Sequence, residues 1–189
     1  MTDTPKDLQG KTDMEEKITL VDEKDNITGY EEKYAVHEKG LLHRAFSVFI
    51  VNGDKMLLQK RNRNKYHSGG LWSNACCSHQ REGEELSGAV HRRMEEELGF
   101  DCELEELYRF IYRTSFENGL TEYELDHVFL GKYGGDISLN EEEAEETEWV
   151  DIDLLMQRVI DKPGDYTYWF KESLPVVVEA LRNADNGED

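Results

Sequence analysis

The stretch WSNACCSHQREGEELSGAVHRRMEEELGF, residues 72–100, decides the fold. It begins with an extended segment in which a single residue separates Cys77 from His79. A glycine-containing loop then leads into a helical pattern, which predicts a helix over residues 83–98 that ends at Gly99. Acidic side chains on such a helix suit a divalent cation and a diphosphate. The stretch therefore predicts a metal-assisted site, and Cys77 indicates a reaction other than simple hydrolysis.

The charges of this helix allow two interpretations. Arg92 and Glu96 are four residues apart, as are Arg93 and Glu97, which is the spacing of ordinary surface ion pairs. The run from Glu95 to Glu97, however, places three acids at the negative end of the helix dipole, which is locally unfavourable. A compensating cation resolves that conflict, so the pattern favours a metal site.

The rest of the chain predicts strands mixed with a few helices. Strands are expected in residues 17–30 around an Asp-Asn turn, in a hairpin of residues 44–52 and 55–60, and in residues 107–116 and 120–133 around the turn Glu117-Asn118-Gly119. Helices are expected over residues 31–37, from residue 153, and over 170–181, and the acidic run 141–148 is interpreted as a solvated loop. This order predicts an α/β (α+β) fold with a mixed sheet and flanking helices.

Length and composition limit the classes of protein. The 189 residues suit one domain, expected over residues 17–182, with a disordered N-terminal tail (1–16) and a polar C-terminal tail (183–189). A net charge of −20 disfavours a nucleic-acid partner. No apolar run approaches a membrane span, and the first residues do not resemble a signal peptide. Three cysteines, two of them adjacent, indicate reduced thiols in the cytosol. We expect a cytoplasmic monomer that acts on a small molecule.

An anionic substrate would need a local basic pocket in so acidic a chain. The candidates are consecutive or nearly so, namely Lys60, Arg61, Arg63 and Lys65.

Two acidic residues and six histidines are candidate metal ligands. Glu122 and Glu124 share one face of a predicted strand, where they either bracket a cation or, together with Asp126, form a solvent-facing polar face. The alternation of side chains along the strand, taken alone, favours the solvent-facing interpretation. Imidazole and carboxylate together suit zinc, manganese or iron. His37, His43 and His79 are the first candidates, but a single histidine is more often a hydrogen-bonded surface or core residue, and spacing does not choose three out of six. The other three are interpreted by default as such residues, namely His67, His91 and His127.

A thiol and two aromatic side chains complete the candidates. Cys77 shares a face with His79, and it is either a reactive thiol or a small apolar side chain, as Cys76 and Cys102 are expected to be. Tyr112 and Trp169 are by default core residues, although tryptophan also stabilises a cation over its ring.

Five segments together resemble a known family. They are EKYAVH (32–37), LLHRAF (41–46), WSNACCSH (72–79), TEYELDHVF (121–129) and YTYWF (166–170). In this order they resemble the type I isopentenyl-diphosphate isomerases, a branch of the Nudix superfamily. The general Nudix pattern G-x5-E-x7-R-E-U-x-E-E-x-G-U fits residues 78–100 with two departures, Ser78 for the first glycine and Arg93 for a glutamate.

This resemblance implies a fold, an activity and a role for particular residues. The fold would be a Nudix-type α/β/α sandwich, and the reaction would convert isopentenyl diphosphate to dimethylallyl diphosphate through a carbocation, a step of isoprenoid biosynthesis. Cys77 and Glu124 would be the acid/base pair, Tyr112 would assist Glu124, and Trp169 would face the carbocation. Mg²⁺ would sit at Glu97 beside the diphosphate. The diphosphate would be bound by Lys33, Arg61, Lys65 and Arg93, and a further metal, Mn²⁺ or Zn²⁺, by His37, His43, His79, Glu122 and Glu124.

Two rival hypotheses remain at this point. A Nudix hydrolase of nucleoside diphosphate derivatives needs the helix acids but has no use for Cys77 or a group of histidines. A non-catalytic module in which metal or ligand binding is structural would tolerate the loss of Cys77.

Overall fold

The structure is a computed structural model that describes residues 16–187. Apart from Glu16, the predicted N-terminal tail lies outside this range. The strands are β1 (Lys17–Val21), β2 (Ile27–Glu32), β3 (His43–Asn52), β4 (Lys55–Arg61), β5 (Trp72–Asn74), β6 (Cys76–His79), β7 (Leu104–Ser115), β8 (Thr121–Lys132) and β9 (Ala144–Asp151). The α-helices are α1 (Lys33–Lys39), α2 (Leu86–Leu98), α3 (Ile152–Asp161) and α4 (Tyr168–Asn186).

Strand β3 is the centre of one mixed sheet. It pairs antiparallel with β6 on one side and parallel with β8 along nine residues on the other. β8 continues antiparallel to β7, while β4 carries β5 and β9 on its two edges. The long β3–β8 pairing fixes which side chains of the two strands lie opposite each other, and this register builds the site described below.

Helices cover both faces of the sheet. Side chains of β3 alternate between the two faces, so Val48 packs with α2 while Phe49 packs with α3 and α4. Both residues are completely buried, as expected of a central strand covered on two sides. The predicted α/β/α arrangement with a mixed sheet is confirmed. Among the helices within residues 16–187, none has the length and apolar content to cross a bilayer.

Turn residues set the boundaries that the sequence predicts. Gly99 ends α2 in the left-handed conformation with φ 69°, and its N–H donates to the carbonyl of Glu95. A Cβ at this position would lie 2.6 Å from the Cβ of Ser138, so glycine is required for space as well as for conformation. The Asn118-Gly119 turn joins β7 to β8 as predicted, and Asp22–Asn26 forms the turn between β1 and β2.

The acidic run 141–148 is not a solvated loop throughout, and that prediction is wrong. Its second half belongs to β9, in which Glu148 lies opposite Leu58 of β4. Consecutive glutamates disfavour a strand, but ion pairs from Arg63 to Glu145 and from Arg158 to Glu148 offset their charge.

Helix ends differ from the prediction by a few residues. α1 covers Lys33–Lys39 rather than residues 31–37, and α2 begins at Leu86 rather than at residue 83. α4 extends to Asn186, so the helix continues into the segment interpreted as a polar tail.

Candidate active site

One cleft of about 550 Å³, partly open to solvent, contains all the predicted site residues except His37 and His43, which lie directly beneath it. Its walls come from α1, β3, β4, β6, α2, β7 and β8, from the start of α4 and from the segment that follows β4. The predicted residues that line it are Lys33, Arg61, Lys65, Cys77, His79, Arg93, Glu97, Tyr112, Glu122, Glu124 and Trp169.

Five buried side chains converge at the floor of the cleft. Sheet register explains the convergence, since His43 of β3 lies opposite Glu124 of β8, and His79 of β6 lies opposite Ala45 of β3. α1 adds His37 to this group. The ligand atoms of these residues all lie within 4.8 Å of one another, and the group consists of His37, His43, His79, Glu122 and Glu124.

The hydrogen bonds of two histidines suit a metal ligand. Nδ1 of His37 lies 2.6 Å from the carbonyl of Lys33, and Nδ1 of His43 lies 2.9 Å from that of Leu41. A carbonyl only accepts, so Nδ1 carries a proton in both rings, and Nε2 faces the carboxylates, with Nε2 of His37 3.0 Å from Oε2 of Glu122. Burial opposes the charge of His43, but Glu122 and Glu124 raise its pKa to about 10, so a bound ion would replace the Nε2 proton. Both Nε2 atoms are buried without a well-aligned hydrogen bond, as is Oε2 of Glu122. These buried, unsatisfied atoms are the donor set that a divalent cation requires, so the residues fit a metal ion.

The two carboxylates of this group differ in proton affinity. Burial opposes the ionisation of both. The charges of His37 and His67 nevertheless hold the pKa of Glu122 well below its usual value. Burial and the neighbouring charge of Glu122 raise the pKa of Glu124 well above the usual value. Without a bound ion, Glu122 therefore favours its ionised form and Glu124 its protonated form, a separation that is typical of acid/base sites.

Glu122 and Glu124 do not face solvent, so the interpretation favoured by parity alone is wrong. Both are buried, and Asp126, the next residue on that face, is buried too and accepts a hydrogen bond of 2.8 Å from Ser47. Parity correctly placed the three carboxylates on one face, but α1 and the neighbouring strands cover that face.

Glu124 also has a phenol partner. The Tyr112 hydroxyl on β7 donates to Oε2 of Glu124 at 2.5 Å, because the two residues lie directly opposite each other in the β7–β8 ladder. Burial raises the pKa of Tyr112 well above its usual value, so the hydroxyl keeps its proton. Tyr112 therefore orients the carboxylate on the side away from His79, which lies 2.9 Å from Oε1.

Cys77 lies on the same face of the sheet as Glu124, on the strand across β3. Burial raises the pKa of its thiol to about 11, although the nearby charge of Arg61 opposes the rise. Nη1 of Arg61 is 3.7 Å from Sγ. Cys77 is thus a protonated thiol at the cleft wall, whereas Cys76 is fully buried in the apolar cluster under α2, as expected.

Trp169 and Arg61 lie against each other at one wall of the cleft. The indole N–H donates to the Ser73 hydroxyl at 3.0 Å, which fixes the ring, and the Arg61 guanidinium lies 5.2 Å from the ring centroid. The ring thus already faces a positive charge in this structure.

Only part of the predicted basic segment lines the cleft. Arg61 and Lys65 do, but Lys60 lies over the ring of Trp72, and Arg63 is exposed and paired with Glu145, so the expectation fails for these two. β4 ends at Arg61 and alternation sends neighbouring side chains outward.

Arg93 and Glu97 are a cleft pair rather than a surface ion pair. Arg93 contacts Glu97, and Gln59 donates to the other oxygen of that carboxylate at 3.0 Å. Burial opposes the charge of Arg93, but Glu97 and Glu143 outweigh it and raise its pKa.

Several residues of the site were not predicted. His67 contacts Glu122, stacks on Phe116 with ring centroids 4.3 Å apart and is buried, although no sequence pattern distinguishes it from His91 or His127. Gln59, Tyr66 and Glu143 line the cleft as well. The alternation of β4 is the only signal that could have indicated Gln59, which shares a face with Arg61.

Comparison with known proteins agrees with this geometry. The NUDIX domain family matches residues 41–170. The chain is 47% identical to isopentenyl-diphosphate Delta-isomerase 2 of Aromatoleum aromaticum, over 87% of this chain and 88% of that one. It is 44% identical to isopentenyl-diphosphate Delta-isomerase of Burkholderia multivorans, over 87% and 97%. A MutT NUDIX hydrolase of Burkholderia pseudomallei has the same fold, with a TM-score of 0.56, 22% identity and coverage of 71% and 96%. The chain belongs to the NUDIX domain family and, within it, to the isopentenyl-diphosphate Delta-isomerases.

Proposed function

We propose that this chain converts isopentenyl diphosphate to dimethylallyl diphosphate. The observation that carries the proposal is one cleft lined by a protonated thiol, Cys77, by a carboxyl group of raised pKa, Glu124, and by four basic side chains. The thiol and the carboxyl group serve proton transfer to and from carbon, and the basic side chains serve the diphosphate.

The reaction moves a double bond by two proton transfers. A proton adds to the terminal carbon, which leaves a tertiary carbocation, and a second proton leaves the chain carbon on the other side of the branch. Cys77 and Glu124 form the pair that performs these transfers, since one group delivers a proton and the other accepts one. Tyr112 holds the Glu124 carboxyl group in place during both steps.

The cleft protects the cation between the two steps. Water would capture a carbocation, so the hydrocarbon must be enclosed by side chains that do not react with it. Trp169 and Tyr112 are both nearly fully buried at the cleft wall. The indole face of Trp169 would contribute roughly 2 kcal/mol of cation stabilisation when desolvated.

Lys33, Arg61, Lys65 and Arg93 would bind the diphosphate. Arg93 stands where the general Nudix pattern has a glutamate, and a cation there favours anchoring a diphosphate over cutting it. His37, His43, His79, Glu122 and Glu124 would hold Mn²⁺ or Zn²⁺, and Glu97 would hold Mg²⁺. When bound, the two ions supply positive charge beside Glu124 and beside the diphosphate.

We also propose that the chain acts as a cytoplasmic monomer. The acid/base pair, the basic side chains and the candidate metal ligands all come from one chain, and its three cysteines are free thiols. Sedimentation of the purified protein at the mass of one chain is the expected result.

The test is incubation of the full chain with isopentenyl diphosphate in deuterated water. Acid/base groups exchange their protons with solvent, so deuterium should enter the dimethylallyl diphosphate that is recovered. Release of inorganic phosphate or of a monophosphate, without isomerised product, would instead indicate a hydrolase and refute the proposal.

A further inference from the structure

Glu143 is an acidic residue at the basic end of the cleft. It comes from the run 141–148, of which it is the acid that lines the cleft. Its Oε2 atom accepts from Nζ of Lys65 and lies 3.1 Å from Nη2 of Arg93. One carboxylate oxygen therefore joins two cations that belong to different segments of the chain.

The carboxyl group of Glu143 is ionised. Its side chain is 13% exposed, and burial opposes ionisation, but Arg93 and Lys65 lower its pKa to about 2. The carboxylate is thus ionised at every pH at which the protein would work. A carboxylate oxygen and a phosphate oxygen make the same charge-assisted hydrogen bonds to lysine and arginine.

We propose that Glu143 is a positioning residue that acts as an internal anion in the free cleft. It holds Lys65 and Arg93 together until a phosphate group takes over their hydrogen bonds and displaces the carboxylate. The inference rests on the proposed function for the identity of the anion, a diphosphate.

Displacement makes Glu143 a competitor of the substrate. An incoming anion must make stronger interactions with the two cations than a single carboxylate does. It must also overcome the electrostatic repulsion from that carboxylate. A diphosphate carries more charge and more acceptor oxygens than a monophosphate. Glu143 therefore weakens the binding of every anion, and it weakens that of singly phosphorylated anions most.

The test compares Glu143→Gln with Glu145→Gln. Glu145 is a matched control, because its pKa is also about 2 and it pairs with Arg63, but it lies outside the cleft. Inorganic diphosphate and inorganic phosphate are titrated by calorimetry into each full-length protein, with and without added Mg²⁺. Without added Mg²⁺, Glu143→Gln should bind diphosphate about tenfold more tightly, or 1.4 kcal/mol. Its affinity for phosphate should rise by at least as much, while Glu145→Gln remains at the wild-type value.

A kinetic measurement separates positioning from a structural role. With isopentenyl diphosphate, Glu143→Gln should lower KM and should not raise kcat, because the carboxylate competes only with binding. A loss of diphosphate affinity, or an affinity equal to that of Glu145→Gln, would overturn the role of Glu143.

A second variant keeps the proposal testable if Glu143→Gln does not fold. Glu143→Asp keeps the charge but shortens the side chain, so it releases at least one of the two cations and should also bind diphosphate more tightly than the wild type. Unchanged binding in Glu143→Asp would count against the inference. If the wild-type protein binds no diphosphate at all, the proposed function fails as well, whereas a failure confined to the variants removes the role of Glu143 alone.

Discussion

Replacement of Tyr112 by phenylalanine removes one hydroxyl from the cleft and retains the ring. The hydroxyl donates to Oε2 of Glu124 at 2.5 Å, and both groups are buried. A hydrogen bond to a charged group contributes ~1.5–3 kcal/mol. Since 1.4 kcal/mol is a factor of ten, kcat for isomerisation should fall about tenfold to hundredfold if the bond is needed in the transition state.

Tyr112→Phe should keep its packing and lose about 1–3 kcal/mol of unfolding free energy, because the buried Oε2 of Glu124 is left without its donor. The ring centroid of Tyr112 lies 5.6 Å from those of Phe110 and Tyr168, and phenylalanine keeps both contacts. The carboxylate of Glu124 loses a donor that favours its ionised form, so its pKa rises. The step in the pH profile of kcat that reports Glu124 should therefore move to higher pH.

Tyr108→Phe provides the matched control for this prediction. Tyr108 lies on the same strand, and its hydroxyl makes a contact of 3.5 Å with the carbonyl of Ser173, outside the cleft. The assay is the initial rate of dimethylallyl diphosphate formation, together with thermal unfolding of both variants. Equal rates for Tyr112→Phe and Tyr108→Phe would refute the reasoning that Tyr112 acts through Glu124.

Three further changes test other parts of the site. Cys77→Ala should abolish isomerisation and leave the melting temperature unchanged. The control Cys76→Ala, in the apolar cluster under α2, should remain active. Measurable turnover by Cys77→Ala would exclude the thiol from the mechanism. Glu122→Gln should lower the metal affinity, measured by competition with a chelator, by more than the roughly tenfold to hundredfold that loss of an outer-shell partner costs. The control Glu106→Gln, outside the cleft, should leave the metal affinity unchanged. In the metal-free chain, burial raises the pKa of Asp126 from 3.8 to about 7, so stability is lost as pH rises through this interval. Asp126→Asn should therefore raise the unfolding free energy by up to about 4 kcal/mol above pH 7, and the gain should be smallest near pH 4. Denaturant titration at both pH values measures the gain, and equal gains would contradict this reasoning.

Local signals were enough to predict much of the fold. The alternation of apolar side chains in β3, the Asn118-Gly119 turn and the Gly99 terminus all depend on neighbouring residues, and the structure agrees with each. β9 was missed because its stability comes from pairing with β4 and from two ion pairs to distant arginines. A run of glutamates carries no local sign of such partners.

The histidines of the candidate site could be assigned only by resemblance. His37, His43 and His79 come from three different elements, and no spacing between them indicates that they meet. The parity of Glu122 and Glu124 was informative about their common face, but burial of that face depends on α1 and β6. His67 was missed for the same reason, since its contact with Glu122 spans more than fifty residues of chain.

The parallel pairing of β3 with β8 makes ion binding depend on the correct register of the two strands. His43 lies directly across from Glu124, and a slip of one residue would turn both glutamates of β8 to the opposite side of the sheet. Any ion held by the five ligands would bind the native alignment and no shifted one. At a hundredfold excess over its dissociation constant it would favour that alignment by about 2.7 kcal/mol. An ion at this group would therefore stabilise the correctly assembled sheet relative to a shifted one, so its removal should lower the melting temperature.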